Sequence, residues 1–297
     1  MQLSSLLPLF LLTPSISAIR PSPNPINCPL VLDGRIRNAS LSTFDTPSSP
    51  FDSKYVKGLN LTWSQILLLP PIKPSRFSSL SHGPIEVTID NHSLFLSGGK
   101  NLQHGFRRAE LILGNGSDAS NSGIKTFHWS VKLDAQRALN LSHEYMLVWH
   151  ESGDYSHNQW SLNLGVMLSQ DRPLDTNIST VDLDKKLWKV LDGRNNVIWT
   201  HEPSSRGWMN FAVVMDGVNN TLQIFYSSGD DELVAVTEPM KNDNSGMGQF
   251  HIGVLKKPTE TESVVWDGYQ EPLEDRGEGL VYSGVFVEDS EDGCVSR

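Results

Sequence analysis

Short segments in which apolar and polar residues alternate recur along this chain from residue 85 to residue 287. Alternation with a period of two predicts strands that bury one face, and Gly, Asn and Asp between the segments predict turns. Many short strands with almost no helix favour an all-β fold, a two-sheet sandwich or jelly roll. The strands are predicted at 85–90, 93–96, 105–113, 125–133, 145–151, 158–166, 208–216, 221–226, 248–255 and 279–287.

Other segments depart from this alternation. Residues 39–55 are rich in Ser, Pro and Asp and predict a long surface loop. Residues 61–69 predict a short helix that ends before Pro70 and Pro71, because proline cannot continue it. Residues 170–196 have a mixed pattern, which predicts strands and a glycosylated loop.

Two of the alternating segments predict faces with distinct chemistry. In 105–113, the odd-numbered positions include Ala109, Leu111 and Leu113, so this face is predicted to point into the core. Arg108 and Glu110 then lie side by side on the opposite face. They are either a solvated ion pair or part of a groove that holds a catalytic acid. In 125–133, the face predicted to be apolar consists of Phe127, Trp129, Val131 and Leu133.

The segment 145–151 places an aromatic ring beside a carboxylate. An unbroken strand puts Leu147, Trp149 and Glu151 on one face. A Trp ring suits the apolar face of a sugar, and nearby apolar surface raises a carboxyl pKa towards that of a general acid. The alternative, which the pattern alone favours, is that Trp149 lies in the core and Glu151 marks the strand end. The opposite face would carry Met146, Val148 and His150.

Other polar and aromatic residues lie near this segment or on later strands. His251 sits between apolar neighbours, where a histidine is more often structural than catalytic. A cluster close after Glu151 has the side-chain types that bind sugar hydroxyls and rings, although loops commonly contain them too. Its members are Tyr155, Asn158, Gln159 and Trp160.

The termini predict a secreted protein of one domain. Residues 1–18 resemble a signal peptide, with an apolar stretch at 3–12 and small residues before a cleavage site after Ala18. Residues 19–27 form a Pro-rich tail, and 28–297 are expected to form a single β-jelly-roll domain. Seven Asn-X-Ser/Thr sequons predict surface glycans. They begin at Asn38, Asn60, Asn91, Asn115, Asn140, Asn177 and Asn219.

The chain has two cysteines, Cys28 and Cys294. In an oxidising compartment they predict one disulfide that joins the two ends of the mature chain, and two unpaired thiols are the alternative.

The net charge and the absence of common motifs argue against several classes of ligand and cofactor. A formal net charge of −10, without a basic cluster, argues against nucleic acid and against polyanionic polysaccharides. No stretch is long and apolar enough to span a membrane. No phosphate-binding loop, dinucleotide fingerprint or zinc ligand set is present, so we expect no metal and no cofactor. A neutral ligand and a monomeric protein are expected.

Several motifs in the same order resemble glycoside hydrolase family 131, a family of secreted fungal β-glucanases. No single motif would be specific, but together they extend from Cys28 to the C-terminus. They lie at 28–35, 55–64, 105–110, 139–145, 150–151, 248–253, 255–258 and 293–296.

The resemblance implies a β-jelly-roll with a sugar-binding cleft on its concave sheet. It implies hydrolysis of β-1,3, β-1,6 or β-1,4 glucan linkages by two catalytic glutamates, which fall on Glu110 and Glu151, and it points to His251 as a further active-site residue. It also implies an inverting mechanism. Glu144 is a rival to Glu151, although an unbroken strand would put it on the other face.

Roles for the two glutamates follow from their neighbours. Arg108 is expected to keep Glu110 ionised, which favours Glu110 as the base. Arg108, Trp149 and the cluster after Glu151 are expected to bind substrate. Two alternatives remain at this stage: a non-catalytic β-glucan-binding module, or a polysaccharide lyase on the same fold, which the negative charge disfavours.

Overall fold

A computed structural model describes residues 25–114, 119–168, 184–204, 207–274 and 276–297. In that part of the chain, short 3-10 helices form at Leu41–Asp45 and Ala119–Asn121, and an α-helix, α1, forms at Trp63–Ile66. Strands make up most of the remaining regular structure. They are β1 (Leu30–Asp33), β2 (Leu67–Leu68), β3 (Ile85–Ile89), β4 (Phe95–Ser97), β5 (Asn101–Gln103), β6 (Arg107–Leu113), β7 (Ile124–Leu133), β8 (Glu144–Glu151), β9 (Asn158–Gly165), β10 (Trp188–Asp192), β11 (Val197–His201), β12 (Met209–Asp216), β13 (Thr221–Ser228), β14 (Val234–Ala235), β15 (Met240–Lys241), β16 (Gln249–Lys256) and β17 (Glu278–Asp289).

Two antiparallel sheets pack against each other to form a β-sandwich. The first sheet has the order β14-β13-β12-β7-β17-β3-β2, with β1 beside β17 and β15 beside β13. The second has the order β11-β10-β9-β8-β16-β6, and β4 and β5 form a separate ribbon. This architecture confirms the all-β sandwich. The predicted hairpin is also confirmed, because β12 and β13 pair with Asp216 opposite Thr221.

The core between the sheets is aromatic. Trp129 on β7 stacks on Trp160 on β9, with ring centroids 5.3 Å apart and planes 7° apart. Phe127 and Val131 share the buried face of β7, as the alternation predicts. Leu133 ends the strand and is exposed. Burying large rings of this kind contributes a major part of the driving force for folding.

The predicted helix at 61–69 was too long. The helix begins after Thr62, whose side chain forms a capping box with Gln65, and it ends at Ile66. Leu67 is already extended, because β2 pairs with β3 and places Leu67 opposite Val87. Pairing with the sheet therefore ends the helix before the prolines are reached.

A disulfide joins the two ends of the described chain. Cys28 and Cys294 are bonded, with their Cα atoms 5.9 Å apart, which confirms the predicted pair. The proposed signal peptide and residues 19–24 of the tail lie outside the described residues. Within the described ranges, no helix has the length and apolarity needed to cross a membrane.

The predicted glycosylation sites are compatible with surface modification where the structure describes them. Asn115 and Asn177 lie outside the described residues, as do residues 170–183 of the predicted strands and glycosylated loop. The other five sequon asparagines are exposed: Asn38, Asn60, Asn91, Asn140 and Asn219.

Candidate active site

Three predicted site residues come together on neighbouring strands of the six-stranded sheet. Glu110 lies on the edge strand β6, Glu151 at the end of β8, and His251 on β16, which lies between β6 and β8. The antiparallel register sets Glu110 opposite Gly253, and His251 opposite Trp149. Strand pairing therefore brings His251 against Glu110, which is 141 positions away in the sequence, and beside Glu151.

The His251 ring lies between the two carboxylates. Its Nδ1 is 3.3 Å from Oε2 of Glu110, and its Nε2 is 3.5 Å from Oε2 of Glu151. The contact with Glu110 is a hydrogen bond, whereas the buried Nε2 has no hydrogen-bond partner among the described residues. The imidazole therefore keeps the two carboxylates apart while it touches both.

Arg108 makes a two-point contact with Glu110. Its Nε donates to Oε1, and its Nη2 donates to Oε2 at 2.7 Å. Glu110 has no exposed surface. Burial alone would raise the pKa of its carboxyl, but Arg108 and then His251 outweigh burial and hold that pKa below the usual range. Glu110 is therefore ionised at neutral pH, as the sequence predicts.

The pKa of the Glu151 carboxyl is shifted in the opposite direction to that of Glu110. Burial raises the pKa of Glu151 above its usual range, and the negative charge of Glu110 acts in the same direction, while His251 and Arg108 oppose it. Its side chain nevertheless keeps 23% of its surface exposed. The site thus combines a carboxylate that resists protonation with a carboxyl that retains its proton more readily, which is the division needed for acid–base chemistry.

A cavity of about 310 Å³ opens beside these residues. Its lining combines charged and amide groups with a larger number of apolar side chains. Such a mixture suits a ligand that has apolar faces and polar edges. The lining residues are Phe106, Arg108, Met146, Glu151, Asn158, Leu168, Leu255, Lys257, Val264 and Val265.

A β-bulge in β8 corrects the predicted faces of that strand. Met146 pairs with Asn163 and Val148 with Leu162, so Leu147 is an extra residue in the ladder. Leu147 therefore faces the core, and Met146 joins Trp149 on the cavity side. The prediction that grouped Leu147 with Trp149 and Glu151, and Met146 with the opposite face, was wrong because it assumed an unbroken strand.

The same bulge brings Glu144 to the cavity side of the sheet. Its Oε1 accepts hydrogen bonds from Lys257 Nζ and Asn163 Nδ2, each at 2.8 Å. Its Oε2 accepts the Leu168 backbone N–H at 2.8 Å. The expectation that Glu144 lies on the opposite face was therefore wrong. Both carboxylate oxygens of Glu144 already accept hydrogen bonds, so Glu144 is less suited than Glu151 to donate a proton to a substrate.

The residues predicted to bind substrate have different environments. Trp149 is fully buried behind His251 and stacks on it, with centroids 4.8 Å apart. Asn158 reaches the cavity wall, and Tyr155 is exposed on the β8–β9 turn.

Gln159 and Trp160, the other two residues predicted to bind substrate, are fully buried and do not line the cavity. Gln159 accepts a hydrogen bond from His150 Nδ1 and donates to the carbonyls of Ser245 and Met247. It therefore holds a loop in place. Trp160 belongs to the core between the sheets and does not join the site, since its side chain points away from the cavity face.

Several residues of the site were not predicted. Gln103 on β5 accepts a hydrogen bond from Arg108 Nη1 at 3.2 Å, and Val264 and Val265 reach the cavity from the loop after β16. The sequence contains one local signal for that loop. A Cβ at Gly105 would lie 2.1 Å from the Val264 carbonyl oxygen, so a glycine is required where the loop docks.

The described residues hold no group of three or more His, Cys, Asp or Glu side chains that could bind a metal ion.

One family model covers most of the chain. Residues 30–293 match the glycoside hydrolase 131 catalytic N-terminal domain. The crystal structure of a GH131 β-glucanase catalytic domain from Podospora anserina superposes with a TM-score of 0.65 at 20% identity, covering 90% of this chain and 97% of that one. A GH131 catalytic domain from Coprinopsis cinerea gives a TM-score of 0.64 at 19% identity, covering 91% and 97%. No curated protein sequence matches the chain.

Proposed function

Because the chain belongs to glycoside hydrolase family 131 and is therefore a glycoside hydrolase, we propose that it hydrolyses β-glucans with Glu110 and Glu151 as its catalytic carboxyls. The observation that carries this proposal is the position of His251 between two carboxyls whose pKa values are shifted in opposite directions. The Podospora anserina neighbour is a β-glucanase, which supports the same substrate class here.

Glu151 is proposed as the general acid. It lines the cavity, it is partly exposed, and burial raises the pKa of its carboxyl. A raised pKa keeps the proton in place for transfer to the glycosidic oxygen as the bond to the leaving sugar breaks. The uncharged leaving group then departs with that proton.

Glu110 is proposed as the general base. Arg108 and His251 keep it ionised, so it can accept a proton from a water molecule that attacks the anomeric carbon on the opposite face of the sugar. Because Glu110 has no exposed surface, that water must reach it beside Arg108, which forms part of the cavity wall.

The arrangement of the two carboxyls supports an inverting outcome. Inverting enzymes hold them about 6.5–9.5 Å apart to leave room for water, whereas retaining enzymes hold them about 5–5.5 Å apart. An imidazole ring that contacts one carboxylate on each side suits the wider spacing. The product is therefore expected to be the α-anomer.

We further propose that the protein is secreted, monomeric and N-glycosylated. The apolar stretch at 3–12 and the exposed sequon asparagines support secretion and glycosylation. Treatment of protein secreted by a fungal host with a peptide N-glycosidase should lower its mass. An unchanged mass, or protein retained inside the cell, would contradict this part of the proposal.

The activity is tested by measuring reducing ends released from β-1,3-, β-1,6- and β-1,4-glucans. We expect the wild type to release sugar from at least one of them, and the Glu110→Gln and Glu151→Gln variants to lose roughly a hundredfold or more of that rate, as expected for removal of a general acid or base. A matched control is Glu238→Gln, a carboxyl outside the site. Wild-type protein inactive on all three glucans would overturn the β-glucanase assignment.

A further inference from the structure

The loop after β16 carries an exposed tryptophan beside the cavity. The chain has eight tryptophans, all within described ranges, and Trp266 is the only one of them that is exposed, at 49%. Its sequence neighbours Val264 and Val265 line the cavity. About half of the surface of Trp266 is therefore open to a ligand.

The backbone that carries Trp266 is well anchored. Its N–H and that of Asp267 both donate to the Ser263 carbonyl, at 3.0 Å each, which forms a tight turn. The Gly105 N–H donates to the Val265 carbonyl at 3.1 Å, and Gln270 Nε2 donates to the Gly105 carbonyl at 2.9 Å. The indole is thus presented from a fixed turn, which lowers the entropic cost of binding.

The cavity is too small to enclose a polysaccharide chain, so such a chain would also contact the protein surface outside the cavity. A volume of about 310 Å³ is at the lower end of the range of roughly 300–1,000 Å³ typical of small-molecule pockets. A glucan chain seated at Glu151 must therefore continue over the rim. The exposed indole of Trp266, the residue that follows the lining residue Val265, offers a flat apolar surface to the axial C–H bonds of a glucosyl ring.

We propose that Trp266 forms a distal glucan-binding subsite, which stacks on a glucosyl unit outside the cavity and favours longer chains over short ones. This proposal rests on the proposed β-glucanase function. Tyr269, at 50% exposure on the same loop, provides a second aromatic ring beside the turn. The loop would thereby set the chain-length preference without touching the bond that is cleaved.

The test compares wild type, Trp266→Ala and Trp266→Phe on gluco-oligosaccharides from disaccharide to octasaccharide, in whichever linkage the wild type cleaves. Stacking on an aromatic ring predicts that Trp266→Ala loses roughly three- to tenfold in kcat/KM on the longest substrates. The loss should appear in KM, the shortest cleaved substrate should be unaffected, and Trp266→Phe should recover part of the loss. Leu80→Ala, an exposed apolar residue far along the chain from the site, is the matched control.

The experiment distinguishes failure of the proposed subsite from failure of the proposed β-glucanase activity. An equal kcat/KM for wild type and Trp266→Ala at every length overturns the subsite, even if hydrolysis is normal. A uniform loss at all lengths also overturns it, because it would indicate a general structural effect. If the wild type cleaves no glucan, binding of the β-1,3-, β-1,6- and β-1,4-linked octasaccharides measured by isothermal titration calorimetry decides: binding that Trp266→Ala weakens supports the subsite, and no difference in binding overturns it.

Discussion

Arg108 binds Glu110 through two guanidinium nitrogens, with Nη2 2.7 Å from Oε2, and both residues are almost completely buried. A buried carboxylate without a partner would be costly and would become protonated instead. The pair therefore keeps a negative charge inside the sheet face, within contact distance of His251. The proposed division between an ionised base and a protonated acid depends on this pair.

Replacing Arg108 with Met should move the acid limb of the pH profile of kcat/KM to higher pH. Arg108 lowers the pKa of Glu110 against the effect of burial, so its removal raises that pKa. A base that must be ionised then becomes active only at a higher pH. Arg108→Lys keeps the charge and should shift the limb less. An acid limb that stays in place in Arg108→Met would show that Glu110 does not set it.

Replacing His251 with Phe should move both limbs of that profile to higher pH. His251 lowers the pKa of Glu110 and also that of Glu151, so both values rise when the imidazole is lost. Phe retains the ring that stacks on Trp149. The measurement is kcat/KM against pH for the residual activity, with the exposed His201→Phe as control. If neither limb of the pH profile moves, His251 has only a structural role.

The Glu144→Gln variant should retain most of its activity but lose stability. Glu144 holds Lys257 and the Leu168 backbone rather than facing the cavity with a free oxygen. Breaking a buried ion pair from one side costs about 3–5 kcal/mol. Thermal and urea unfolding would measure that loss, and Glu144→Gln combined with Lys257→Met should recover part of it. A variant that folds normally and is as inactive as Glu151→Gln would make Glu144 the catalytic acid.

Tyr282 on β17 should matter to the site although it lies in the opposite sheet. Its hydroxyl is 2.5 Å from the Gly253 carbonyl oxygen and 2.8 Å from that of Leu147, the bulged residue. Tyr282→Phe leaves these buried carbonyls without that donor, at a cost of about 1–3 kcal/mol in the free energy of unfolding.

Tyr282→Phe should also lower kcat, because the bulge sets the positions of Trp149 and Glu151. Tyr226→Phe, at a tyrosine whose hydroxyl has no hydrogen-bond partner in the described chain, is the matched control. Equal stability and kcat for Tyr282→Phe and the wild type would contradict a role for this hydroxyl in fixing the bulge.

Much of the fold could be predicted because strand alternation is a local property. The core face of β6, with Ala109, Leu111 and Leu113 inward, follows from period two alone. The same rule placed Arg108 beside Glu110, and the two cysteines indicated the terminal disulfide. These features need no knowledge of which strands are neighbours.

The parts that the sequence did not predict depend on pairing between distant segments. The bulge at Leu147 is visible only in the register of β8 against β9 and β16, and it determines which face Met146 and Glu144 occupy. Trp160 looked like a sugar contact because of its polar neighbours, yet it fills the core against Trp129. The loop that carries Val264 reaches the cavity by packing on Gly105. The glycine is a local signal for a close approach, but it does not show which distant segment makes that approach.

Proton NMR of the freshly released product tests the central claim most directly. The purified protein would be added to the glucan that it cleaves, and the anomeric signals recorded before mutarotation, beside the Glu110→Gln and Glu151→Gln variants. The proposed mechanism predicts α-anomer from the wild type and no product from either variant. A β-anomer as the first product would contradict inversion, and product from a folded Glu151→Gln variant at the wild-type rate would contradict the assignment of the acid.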